Sequence, residues 1–251
     1  MSRQRLGQHF LVIGSVLDRI ARAVCPSLEP LVIEIGPGRG ALTERLLPRA
    51  EKVIAIEIDP LLVQQLNQQF RDSPHLTVLH ADVLEIDLAQ WGPAVIAGNL
   101  PYYAATPIIE KTLSGAFTRA ILLIQKEVAA RLTAAPRSRD YGYLSVRTQL
   151  FAEVGQLFDV GPSAFRPPPK VDSSVVRLTP CDRAKELGIA DPVRFLHFVS
   201  QCFRQKRKTL RNNLSGLFGK AALDSLPQAA KRAEELTLEQ FADLYRLLYN
   251  P

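Results

Sequence analysis

Leu31-Val32-Ile33-Glu34-Ile35-Gly36-Pro37-Gly38-Arg39-Gly40-Ala41-Leu42 decides how this chain is read. A short apolar run enters a turn that carries three glycines in five residues. Glycine tolerates left-handed backbone and has no Cβ, so such a turn lets main chain approach a bound nucleoside closely. With Ala41 in the last position the run also satisfies Gly-x-Gly-x-x-Gly/Ala, the dinucleotide fingerprint. Nicotinamide-dependent chemistry and other nucleoside chemistry both stay open at this point. A plain strand-to-helix turn explains the glycines less well.

Further short apolar runs follow at Lys52–Glu57, Leu76–His80, Ala94–Ala97 and Ala120–Gln125, after Leu31–Ile35 itself. Segments with helical periodicity separate them, which predicts an α/β fold: a parallel sheet with helices on both faces. Pro60–Phe70 is one such helix, with Asp59 placed to cap it and Pro60 at the position where a missing N–H is harmless. Val154–Val160 and Ser174–Leu178 add late strands. Between them Gly161–Lys170 holds four prolines and is expected to be a stiff extended loop. Beyond Cys181 the pattern is wholly helical, and Thr237 with Gln240 forms a capping box for a last helix, Leu238–Tyr249. Two domains are expected, residues 1–180 and 181–251.

A hydrophobic content of 47% in 251 residues is enough for a real core, so disorder is not the default reading. Cys25, Cys181 and Cys202 have neither disulfide nor metal-like spacing, so a reducing, cytoplasmic setting and no metal are expected. No apolar run reaches membrane-spanning length. The formal charge of +6 favours polyanionic partners once the charge is located.

Glu57 stands about twenty residues past the turn, where an acid commonly accepts from a ribose diol. Asp82, after the next strand, suits an exocyclic adenine amine or, equally, a local cap. Asn99-Leu100-Pro101-Tyr102 closes the strand Ala94–Ala97 and separates the two chemistries, because hydride transfer has no use for it. An adenine N6 is a poor nucleophile, its lone pair being delocalised into the ring. The Asn99 side-chain oxygen and a neighbouring carbonyl can hold its N–H bonds, while Tyr102 offers a stacking face and a cation–π partner for a sulfonium. This combination points to transfer of a methyl group from a nucleoside-containing donor to a base.

Several further motifs agree with this. They are Gly7-Gln8-His9-Phe10-Leu11, Ile56-Glu57-Ile58-Asp59, Gln125-Lys126-Glu127-Val128 and Phe165-x-Pro167-Pro168-Pro169-Lys170-Val171-Asp172-Ser173. With the glycine turn and the Asn99 motif they make the chain resemble the ribosomal RNA adenine N6-dimethyltransferase family over nearly its whole length. The resemblance implies a Rossmann-like class I methyltransferase sheet with a small all-helical C-terminal domain. It also implies S-adenosylmethionine as donor and two adjacent adenosines in the 3′-terminal hairpin of small-subunit rRNA as acceptors. Donor contacts carried over by motif are His9, Leu11, Gly36, Glu57, Asp82 and Asn99; base contacts are Asn99, Leu100, Tyr102 and Phe165. The chain departs from the family at His9, where Asn is usual, and at Val12-Ile13, where an Asn-Asp pair is common.

Arg194, Arg204, Lys206, Arg207, Lys208 and Arg211 form a basic run without an acid among them. A solvated helix face normally mixes signs, so the run is read as a phosphate-binding surface. Arg3, Arg5, Arg137, Arg139 and Arg147 are candidate extensions of it. The expected protein is a monomeric cytoplasmic enzyme acting on rRNA in a small subunit or an assembly intermediate. The competing readings are a large-subunit rRNA methyltransferase of the macrolide-resistance type and a non-catalytic assembly or transcription factor on the same fold.

Overall fold

A computed structural model describes residues 8–249. Gly7, Arg3 and Arg5 therefore lie outside the described residues. The chain folds as two compact units, residues 1–129 with 154–180 and residues 130–153 with 181–251. One border falls at residue 180, and residues 130–153 pack with the C-terminal unit, not with the first domain in which the sequence placed them. The reason lies in their apolar side chains: Tyr141, Val146 and Leu150 are fully buried in the second core, among Phe195, Phe198, Leu210 and Phe241.

The first unit begins with strand β1 (Phe10–Leu11) and helix α1 (Gly14–Val24), followed by β2 (Val32–Ile35) and the one-turn α2 (Thr43–Leu46). Then come β3 (Val53–Glu57), α3 (Pro60–Gln69), β4 (Leu76–His80), β5 (Ala94–Asn99), α4 (Ala105–Leu113) and β6 (Phe117–Gln125). Helix α5 (Lys126–Thr133) leads to α6 (Tyr143–Phe151) of the second unit, and the chain returns through β7 (Ala152–Val160), β8 (Phe165–Arg166) and β9 (Ser173–Pro180). The strand order in the main sheet is β4-β3-β2-β5-β6-β9-β7. β2, β3 and β5 are buried along almost their whole length, whereas the edge strand β4 is only half-buried. That is why the central strands read as unbroken apolar runs and not as alternation. Asp59 caps α3 by accepting from the Leu61 N–H at 2.9 Å.

Two details depart from expectation. β9 pairs with β6 antiparallel, so the sheet is mixed. The connection from β6 to β9, residues 126–172, passes through the second unit and returns by β7, so it is not the direct helical crossover that joins parallel neighbours. The proline segment is also not wholly a loop, since β8 within it pairs antiparallel with β1.

The second unit continues with α7 (Arg183–Glu186), α8 (Pro192–Cys202), α9 (Leu210–Phe218), α10 (Lys220–Asp224) and α11 (Leu238–Tyr249). Thr237 and Gln240 make the expected capping box, at 3.1 and 3.3 Å. Among the described residues no helix is long and apolar enough to cross a membrane.

Candidate active site

Chain order reverses between β2 and β5: β3 and β4 extend the sheet to one side, β5 and β6 to the other. Open α/β sheets bind ligands at such a switch point, outside the carboxyl ends of their strands. A cavity of about 460 Å³ opens there, within the range of nucleoside-sized sites. It is lined by residues just past β2 (Gly36, Gly38), at the end of β3 (Glu57), past β4 (Asp82) and at the end of β5 (Asn99, Leu100, Tyr102). Leu11 of β1 and His9 just before it also line the cavity. Eight of the nine residues expected at the donor and base sites therefore meet in one cavity.

The ninth is Phe165. It is fully buried in the core of the first unit with Leu11, Leu17, Ile121 and Val175, and it does not line the cavity, which its neighbour Arg166 does. The β1–β8 pairing places Phe165 opposite the buried Leu11, on the inward side of the ladder. Phe165 is a core residue, and the second ring expected from it beside the base is absent.

The glycine turn is as tight as its composition requires. Gly36, Gly38 and Gly40 have φ of +67°, +58° and +79°. A Cβ on Gly40 would stand 2.6 Å from the Phe70 ring, and one on Gly38 3.0 Å from the Phe10 ring. Phe10 in turn carries the Arg39 guanidinium 4.6 Å above its ring.

Two carboxylates sit at the floor. Glu34 is buried, accepts from Thr43 Oγ1 at 2.6 Å and is pushed up to about 7 by that burial, against the hydrogen bond and with the help of the Glu57 charge. Burial also raises Glu57, opposed by backbone N–H donors from Asp59, Gly38 and Ile58 at 3.0, 3.1 and 3.0 Å. A carboxylate has about four acceptor positions; Ile58 and Asp59 share Oε1 and Gly38 takes one position on Oε2. Asp82 takes the capping role and also stands at the cavity. One oxygen caps the following turn through the Leu84 N–H at 2.9 Å, and the side chain still lines the cavity.

At the other end, Asn99 Nδ2 donates to the His9 carbonyl at 3.0 Å, which leaves Oδ1 as the end offered to a ligand. His9 Nδ1 donates to the Pro167 carbonyl at 2.8 Å, and its ring centroid lies 5.3 Å from that of Tyr102. Tyr102 OH and Ser173 Oγ are 2.9 Å apart. Burial raises the Tyr102 phenol, the bond to Ser173 opposing it. Ser173 and Tyr103 were not foreseen as site residues. Ser173 was present in the quoted proline motif without a role; Tyr103 gave no signal beyond adjacency to Tyr102. Nor was Glu34, which reads as one more strand position.

The basic residues form a turn between α8 and α9, not a helix face: Arg204, Lys206, Arg207 and Lys208 are all exposed there. Asn213 pins it, donating to the Cys202 carbonyl at 2.8 Å and accepting from the Gln205 N–H at 3.1 Å. Lys206 Nζ donates to the Arg139 carbonyl at 2.7 Å, so Arg139 and its turn lie alongside. The two ends of the run are different. Arg211 pairs with Asp224 at 2.9 Å, and the Arg194 guanidinium lies 4.4 Å over the Tyr249 ring. Their partners come from α10 and α11, beyond the window in which the run looked acid-free. Arg147 is half-buried and bonds to the Tyr143 hydroxyl at 3.2 Å.

The comparisons with known proteins agree with this geometry. The family model described as ribosomal RNA adenine dimethylase matches residues 1–250. A ribosomal RNA small subunit methyltransferase A from Acidobacterium capsulatum is 44% identical, over 98% of this chain and 91% of the relative. A protein of the same name from Geobacter metallireducens is 39% identical, over 98% and 95%. Among solved structures, a dimethyladenosine transferase from Plasmodium falciparum superposes with a TM-score of 0.80 at 29% identity, covering 94% of this chain and 96% of that one. The 23S rRNA methyltransferase ErmE gives 0.68 at 28% identity, covering 95% and 99%. The chain belongs to the ribosomal RNA adenine dimethylase family.

Proposed function

We propose that this protein dimethylates N6 of two adjacent adenosines in the 3′-terminal hairpin of small-subunit rRNA, as a cytoplasmic monomer acting on a subunit or an assembly intermediate. The observation that carries the reading is the fixed Asn99 amide: with Nδ2 held by the His9 carbonyl, Oδ1 is a preset acceptor for an amine N–H. The cavity fits S-adenosylmethionine because it joins a left-handed glycine cradle to two buried carboxylates, which suit the positive charges of that molecule. Bound there, the donor supplies an electrophilic methyl group on a sulfonium.

The protein's part is orientation. Asn99 Oδ1 and the Leu100 carbonyl hold the N6 hydrogens and favour a tetrahedral nitrogen, and Tyr102, braced by Ser173, stacks on the base. The aligned nitrogen then needs only about 3–3.5 Å contact with the methyl carbon. Water takes the acidic proton of the methylated cation, so no strong base is required. After one transfer a single N–H remains, and one of the two acceptors still holds it for the second. Arg204, Lys206, Arg207 and Lys208 dock phosphates, with Arg211 joining when RNA displaces Asp224. An exposed pair of that kind is worth at most about 1 kcal/mol.

The test is incubation with labelled S-adenosylmethionine and undermodified small subunits, then mass spectrometry of digested rRNA. Dimethyladenosine at two neighbouring positions is expected. Monomethyladenosine as the end product, or labelling of large-subunit rRNA instead, would overturn the reading.

A further inference from the structure

Tyr102 and Tyr103 are adjacent and both line the cavity, yet their polar neighbours differ. Tyr102 faces His9 and Ser173. Tyr103 lines the same cavity but is 59% exposed, and its phenol, raised first by partial burial, feels the charges of Asp82 and Glu57. These acids stand at the carboxyl ends of β4 and β3, the side assigned to the adenine amine and the ribose. Ile58 and Leu84, each next to one of these two carboxylates or its turn, also line the cavity with large exposed apolar side chains. An exposed aromatic ring beside exposed aliphatics and two carboxylates is a poor place for RNA phosphate. It suits a flat, uncharged purine on a cationic molecule.

We propose that Tyr103 is a donor-binding residue whose ring covers the adenosyl half of S-adenosylmethionine; this rests on the donor named above. Covering removes the ring's exposed face from water and makes successive tyrosines divide the cavity, one for the acceptor base and one for the donor.

The test is calorimetric titration of wild type, Tyr103→Phe and Tyr103→Ala with S-adenosylmethionine and with 5′-methylthioadenosine, which lacks the amino-acid half. Urea midpoints check that the variants fold. Tyr103→Ala is expected to weaken both ligands about tenfold, within the span of base–aromatic stacking, and Tyr103→Phe to stay within about twofold of wild type. RNA affinity measured without donor is expected to match wild type. An unchanged donor Kd with weakened RNA binding would overturn the proposal by giving the ring to the acceptor. A loss confined to the full donor would overturn the adenosyl assignment. Failure of wild type to bind S-adenosylmethionine would instead overturn the donor reading on which it stands.

Discussion

Replacing Glu34 with Gln tests whether a costly buried charge is kept for the donor. The ordinary Glu value of 4.5 is raised to about 7 in the folded protein by burial. At about 1.4 kcal/mol per pH decade this makes the ionised form about 3 kcal/mol less stable in the fold than in the unfolded chain. Between pH 4.5 and about 7 the native state holds a proton that the unfolded chain has lost. Stability therefore falls as pH rises through that window, and the full penalty applies above it. Gln is nearly isosteric, carries no charge and can still accept from Thr43 Oγ1. The variant should be more stable than wild type by up to about 3 kcal/mol near pH 8, with the advantage shrinking towards zero near pH 4.5. Urea unfolding followed through Trp91 fluorescence at several pH values measures this. S-adenosylmethionine affinity should fall at the same time, since a negative charge has left the cavity. An advantage independent of pH, or none near pH 8, would show that Glu34 is not ionised at that cost.

Three other outcomes are expected. Asn99→Ala and Tyr102→Ala should each slow single-turnover methylation of undermodified subunits, with loss of stacking at Tyr102 alone worth about 1–3 kcal/mol, while donor affinity stays largely intact; near wild-type rates for both would remove them from the acceptor site. Replacing Arg204, Lys206, Arg207 and Lys208 together with Ala should weaken RNA binding and flatten the log K against log salt slope by about 3, and an unchanged slope would leave the turn as ordinary surface. Phe165→Ala should destabilise the protein by about 3–5 kcal/mol in chemical denaturation, and slower methylation with unaltered stability would contradict its place in the core.

What the sequence could reveal followed the range of the interactions involved. β2, β3 and β5 were foreseen within a residue or two at each end because both their faces are buried, so every position carries the signal. The caps at Asp59 and Thr237 depend on neighbours two or three residues away, and they too were readable. The antiparallel β9, the passage of residues 130–153 to the second core and the Arg211–Asp224 pair depend on partners that no local window contains. Phe165 fails for a related reason. A motif identifies a residue, but whether its ring faces the cavity or the core is set by a ladder to β1, about 155 residues away in the chain. Among the residues that line the cavity, Gly36 carries a local signal in its turn and Asn99 in the motif that closes β5, although the Asn99 amide is held by a carbonyl 90 residues away. Tyr103 and Glu34, whose roles depend on what surrounds them in space, carry no such signal.

The distribution of charge joins these observations. The chain carries a net +6, yet among the described residues neither Glu34 nor Glu57 has an ion-pair partner. A buried carboxylate is ordinarily neutralised by a neighbouring Lys or Arg, because an unpaired ion in the interior is expensive. Here hydroxyl and backbone N–H donors do that work only in part, and Glu34 still sits near 7. Pairing them with arginine would stabilise the free protein and close the cavity to a cation. Leaving them unpaired makes the cavity attract positive charge and repel phosphate, while Arg204, Arg207 and Lys208, which have no acidic partner among the described residues, do the reverse. Unpaired acids in the first unit and unpaired bases in the second thus give one basic protein two sites of opposite charge preference.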